Sequence, residues 1–140
     1  MILEKLAQVY IHLGNIDVDA RYDIQAIDIF KEIIDCGWGT YTTYNNMAIL
    51  YQKNQMYEEE AGVLQNMLTQ YGENYNTYKR MTFMEVAVQS QKKNEERSYE
   101  DFKMYYEKAM ALYVEQMSNN QTDPEMNTQA QAHSSVWYFC

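Results

Sequence analysis

Apolar residues recur at helical spacing along most of the chain. In its middle, Tyr44, Met47, Ala48 and Tyr51 share one helix face, and Tyr57, Glu60, Leu64 and Met67 begin another after Lys53-Asn54-Gln55. Two such stripes joined by a short polar link predict a helix pair. Moving 34 residues on from Tyr44, Met47 and Ala48 gives Tyr78, Met81 and Thr82, again aromatic, apolar and small. The second helix of that later unit carries the stripe Tyr99, Phe102, Tyr106, Ala109 and Tyr113. Ser98, three residues before Asp101, has the form of a capping box that satisfies first-turn amides. Towards the N-terminus, Leu3, Leu6, Ala7 and Tyr10 repeat the first-helix pattern, and Ala26, Phe30 and Ile33 repeat the second. Three pairs are predicted, over about 1–37, 40–72 and 74–117.

The outer two units are longer than the middle one. From Leu6 to Ala26 is 20 residues and from Met81 to Phe102 is 21, against 13 from Met47 to Glu60. The extra seven and eight residues are close to two helical turns each. Val86 to Lys93 contains no helix breaker, so in the third unit the first helix is expected to continue outward, leaving Asn94 to Arg97 as the turn. In the first unit, Gly14-Asn15 predicts an early stop and a longer loop. From Ser118 the chain turns polar, so 118–140 reads as a tail. Asp123-Pro124-Glu125 is nonetheless a good helix start, and a short, weak capping helix over the last pair is the other expectation. Trp137-Tyr138-Phe139 would be adhesive if left free.

A period of 34 with large, apolar, small and aromatic residues in the first helix resembles the tetratricopeptide repeat, and the likeness spans Met1 to Met117. It departs from that pattern at Glu85 in an aromatic position, at Phe102 in a small one, and at Gly72 where a proline often closes the unit. The resemblance implies an all-α fold, a right-handed superhelical stack of three antiparallel helix pairs. The third unit, NEERSYEDFKMYYEKAMALY after a long first helix, also resembles helical repeats appended behind the kinase domain of some bacterial Ser/Thr protein kinases.

Composition agrees with a folded helical chain. Hydrophobic residues are 46% and charged residues 22%, which disfavours wholesale disorder. One proline and five glycines are too few to punctuate a many-turned β structure. Eleven basic against 20 acidic residues leave a net charge of -9, which repels a phosphate backbone, so nucleic acid is excluded as a partner. No 18-residue apolar run exists, so membrane insertion is not expected, and the amphipathic Met1 to Tyr10 does not read as a signal peptide. Cys36 and Cys140 lack metal spacing and read as reduced thiols, with Cys36 packed near the end of its helix; the expected compartment is the cytoplasm.

No catalytic constellation is present. His12 and His133 lack metal-ligand spacing, no glycine-rich phosphate loop occurs, and Glu58-Glu59-Glu60 and Glu95-Glu96 read as solvated helix starts, so neither enzyme activity nor a metal or cofactor is expected. Tyr10, Tyr44, Tyr51, Tyr57, Tyr78, Tyr99 and Tyr106 fall on packing positions. In the resembled family the first helices line a concave groove. Carried onto this chain, that wall is Gln8 and His12, then Asn45, Asn46, Ile49 and Lys53, then Asn76, Lys79, Arg80 and Phe83, with Glu4, Ile11, Thr42, Gln52 and Val86 beside them. Amides, cations and apolar side chains together suit an extended peptide or short helix. The set used by repeats that grip a chaperone's C-terminal carboxylate reads Glu4, Gln8, Asn46, Asn76 and Arg80 here; Glu4 would repel the carboxylate, so that ligand is disfavoured. The resemblance thus implies a non-catalytic protein- or peptide-binding scaffold, on a kinase's C-terminal side in the closer likeness. The alternative is a structural array that self-associates through its terminal helices.

Overall fold

The computed structural model describes residues 2–16 and 20–119, and among these there is no strand. Six helices follow in order: α1 (Ile2–Ile16), α2 (Ala20–Asp35), α3 (Tyr41–Lys53), α4 (Tyr57–Tyr71), α5 (Tyr75–Ser90) and α6 (Glu100–Asn119). Each packs on its neighbours in sequence, and α3 also touches α5. The result is a stack of three helix pairs, α1 with α2, α3 with α4 and α5 with α6. The polar tail or capping helix expected for 118–140 lies outside the described residues from residue 120 onward.

Local chemistry explains where the helices start and stop. Thr40 and Thr43 form a reciprocal box at the start of α3, each side-chain oxygen accepting the other's backbone N–H. Asn74 caps α5 by accepting the Thr77 N–H at 3.0 Å. Gly37 ends α2 in a left-handed turn, its N–H on the Ile34 carbonyl and the Trp38 N–H on the Ile33 carbonyl. Gln55 does the same after α3 at φ 59°, a conformation that disfavours a residue with a Cβ. Gly72 stands at φ 77°, ψ 179°, a region open in practice only to glycine, which accounts for glycine rather than proline closing the middle unit.

Four expectations need correction here. Gly14-Asn15 does not stop α1, which runs to Ile16; Gly14 is buried where Asp23 of α2 approaches, and a Cβ there would lie 2.6 Å from Asp23 Oδ1. The glycine serves close helix contact, not termination. The Ser98–Asp101 box is displaced as well: α6 begins at Glu100, and the Ser98 N–H goes instead to Gln89 Oε1 at 2.9 Å. That bond belongs to a relay in which Gln89 also donates to Glu85 Oε1 at 2.7 Å, so the acid in the aromatic position fastens the end of α5 to the segment before α6. The outward extension of α5 forms only as far as Ser90, three residues short of the expected Lys93, and the turn follows as a short 3-10 turn at Asn94–Glu96 with Arg97 donating to the Lys92 and Ser90 carbonyls.

The fourth correction concerns packing stripes. Ala7, Ala26, Phe30 and Ile33 are buried as their spacing predicts, joined by Ile27, Met47, Leu50 and Tyr51 between the first pair and α3. A second cluster holds Tyr41, Tyr44, Ala48, Leu64, Met67, Tyr78, Met81, Met84 and Ala109. Leu6, Tyr99, Tyr106 and Tyr113, however, stand exposed. On α6, Ala109 of the predicted stripe is buried, but its companions in the core are Tyr105 and Leu112, one step round the helix from Tyr106 and Tyr113. A helix apolar on two faces shows two stripes, and periodicity alone does not choose between them.

Candidate binding surfaces

The predicted wall divides into residues that face outward and residues the fold has taken inside. Gln8 and His12 are exposed on α1; Asn46 and Ile49 are half-buried on α3; Lys79 and Arg80 are half-buried on α5, with Lys79 above the Tyr75 ring. Phe83 and Val86 stand out from α5 at 48% and 49% exposure. Asn45 and Asn76 are not surface residues: they are 0% and 1% exposed. Asn76 Nδ2 donates to Asn45 Oδ1 at 3.1 Å and to the Tyr41 hydroxyl at 2.8 Å, and that hydroxyl also lies 3.1 Å from Asn74 Oδ1 and 2.8 Å from Thr77 Oγ1. The two amides tie α3 to α5 from within, because a buried amide costs more unpaired than it gains from exposure.

Lys53 is also committed to the fold. Its ammonium lies 3.1 Å from Asp23 Oδ2 and donates to Asn15 Oδ1 at 3.2 Å, while Asn54 Nδ2 donates to Asp23 Oδ2 at 3.0 Å. Asp23 is buried beside Gly14, so this cluster clamps the ends of α1 and α3 onto the start of α2.

Behind the wall the charge run at the start of α4 splits. Glu58 and Glu59 are exposed as expected, but Glu60 is fully buried, and both of its carboxylate oxygens lack a hydrogen-bond partner. Burial pushes its carboxyl from the usual 4.5 up to about 8, and the Arg80 guanidinium pulls in the opposite direction. Glu60 stands 34 residues after Ala26, which is buried as well, so its side chain lies on the packed side of α4 and the solvated reading fails. Thr42 Oγ1, Gln52 Oε1, Asn76 Oδ1 and Arg80 Nε are likewise buried without a partner, which concentrates unmet polar groups along α3 and α5.

Two clefts open between the second helices, and the groove reading did not anticipate them. One, about 350 Å³, includes Lys31, Ile34, Asp35, Tyr44 and Met47 in its lining. The other, about 420 Å³, includes Gln65, Leu68, Thr69, Tyr78 and Met81. Each residue of the second set stands 34 positions after its counterpart in the first: 65 − 31, 68 − 34, 69 − 35, 78 − 44 and 81 − 47 all equal 34. The signal that could have found them was therefore the repeat itself, read for second-helix positions. Across the larger cleft the Tyr78 hydroxyl donates to Glu73 Oε1 at 2.8 Å, and Lys108 reaches towards both. Burial, then the Glu73 bond, raise the Tyr78 hydroxyl above its ordinary value.

Cys36 departs from expectation as well. It sits exposed in the turn after α2 and is disulfide-bonded, so it is neither packed nor a reduced thiol, and the thiol argument for the cytoplasm loses its support. Among the described residues no group of three or more His, Cys, Asp or Glu side chains converges as a metal site, and no helix is long and apolar enough to cross a membrane. No protein-family model matches the chain, and neither does any curated protein or solved structure.

Proposed function

We propose that this chain is a non-catalytic binding module, a tetratricopeptide-like right-handed superhelical stack that presents the α3/α5 face to a peptide or partner protein. The observation that supports this most is the exposure of Phe83 and Val86 on a helix whose other side is packed, beside the half-buried cations Lys79 and Arg80. Exposed apolar anchors beside amide and cationic side chains suit a peptide, whose apolar side chains pack on the first and whose polar groups meet the second. Asn46, Ile49, Lys79, Arg80 and Phe83 remain as the outward part of the wall, with Gln8 and His12 continuing it on α1. Asn45 and Asn76 support it from inside, and Lys53 fastens its end to Asp23. The kinase-associated setting suggested by residues 94–113 belongs to the same reading, with this chain as the interaction region of a signalling protein.

Selection from a random peptide library tests the proposal. Peptides enriched on the wild-type chain should lose at least tenfold in affinity on Phe83→Asp and Arg80→Glu. Enrichment that survives both substitutions, or no enrichment at all, rejects the α3/α5 face as the site.

A further inference from the structure

Cys36, in the turn after α2, is disulfide-bonded, and the sequence holds one other cysteine, Cys140. A bond between the two returns the residues before Cys140 to that turn. Cα atoms joined through a disulfide stand about 5.5 Å apart, and an extended chain advances at most about 3.6 Å per residue, so Trp137, Tyr138 and Phe139 would all lie within about 16 Å of Cys36. The connection is long enough. From Asn119 to Trp137 is 137 − 119 = 18 residues, which reach about 60 Å when extended, twice the length of the 20-residue α6.

The α2–α4 cleft opens beside the same turn. Ile34 and Asp35, just before Cys36, line it, and Tyr44 and Met47 of α3 give it an apolar lining. Gly62, Val63 and Asn66 of α4 complete it, and their counterparts in the α4–α6 cleft are Met104, Tyr105 and Lys108. The differences 104 − 62, 105 − 63 and 108 − 66 all equal 42, the period of 34 plus the eight residues by which the third unit is longer. The later cleft is therefore closed in by large side chains, with Lys108 over the Tyr78 ring at 5.3 Å. The earlier one is bare at the same places. Gly62 is exposed in mid-helix, where glycine disfavours the helix, and a Cβ placed on it would meet nothing within 4 Å. The aromatic run of residues 137–139 supplies what this cleft lacks, and rings of that kind are adhesive when left in water. Charge does not oppose the match: the cleft carries Asp35 and Glu59 against Lys31, and residues 126–139 contain no Asp, Glu, Lys or Arg.

We propose that Cys36 and Cys140 of one chain form a disulfide that seats Trp137, Tyr138 and Phe139 in the α2–α4 cleft, so that the chain covers this cleft itself until the bond is reduced. Thiol–disulfide exchange balances the step. The two thiols give two electrons and two protons to an external disulfide, which becomes two thiols as the S–S bond forms, and a dithiol reverses the exchange. Phe83, Val86 and Arg80 take no part, so the inference stands whether or not the α3/α5 wall binds peptide.

Two measurements on the full chain decide it. Oxidised with glutathione disulfide and digested without reduction, the chain should yield one cross-linked peptide pair holding Cys36 and Cys140, from protein that runs as a monomer. Two free thiols, or Cys36 joined to a second copy, overturns the proposal. Amide chemical shifts then report the seating. Dithiothreitol, which closes to a cyclic disulfide as it splits the bond into two thiols, should shift the signals of Gly62, Val63 and Asn66. Trp137→Ser with Phe139→Ser should shift the same signals while the bond stays intact, and both substitutions lie outside the six helices, so the stack keeps its fold. Shifts confined to Cys36 and its neighbours in sequence, in either experiment, would mean that the tethered residues leave the cleft empty and would overturn the proposal as well.

Discussion

Glu60 is the residue whose chemistry departs most from its surroundings in the sequence. Written between Glu59 and Ala61 it looks like one more acid favoured by a helix N-terminus, yet the fold buries it fully with neither oxygen paired. Its folded-state value of about 8 lies above the usual 4.5, so the folded chain holds a proton there that the unfolded chain releases. Stability from this group is therefore complete below pH about 4.5, falls as pH rises, and is lost above pH about 8. Glu60→Gln should flatten that decline and raise the melting temperature at pH 8 to 9, which thermal melts across this range will register. The Asn76 amide makes a second prediction. It holds Asn45 and Tyr41 together across α3 and α5, so Asn76→Ala should cost about 1 to 3 kcal/mol in chemical denaturation by leaving buried polar partners unmet.

At the scale of elements, helix positions were legible because apolar spacing and caps are local. Phe30, Ile33, Met47, Leu64, Met67 and Met81 are buried where their periodicity placed them. Which face of a doubly apolar helix packs was not legible, as Tyr106 and Leu6 show, because that choice depends on a neighbour distant in sequence. The role of Gly14 was hidden for the same reason: only the approach of Asp23 distinguishes a packing glycine from a terminating one. Ala48, fully buried between helices, should tolerate no enlargement, and Ala48→Leu is expected to lose about 1 to 3 kcal/mol by overpacking. The opposite gain is available at the α3–α4 turn. Gln55 holds φ 59° where glycine is at ease, so Gln55→Gly should stabilise by about 1 kcal/mol, seen as a higher denaturation midpoint with an unchanged slope.

For the whole molecule, the 34-residue period read from Tyr44, Met47, Tyr78 and Met81 reappears in space as two equivalent clefts, so the repeat is a property of the packing as well as of the letters. The binding surface was legible only in part. Periodicity places Asn45 and Asn46 side by side near one helix face, but only the position of α5 decides that the first is interior and the second is not. Lys53 is exposed as a groove residue would be, but its ion pair with Asp23, 30 residues away, is a contact that periodicity does not show. What remains outward on α3 and α5 competes with the clefts between the second helices as the place where a partner sits. Amide chemical-shift mapping with a library-selected peptide separates them most directly. The account predicts that the largest shifts fall on Asn46, Ile49, Lys79 and Phe83; shifts centred on Leu68, Met104 and Tyr105 would place the partner in the α4–α6 cleft and contradict it.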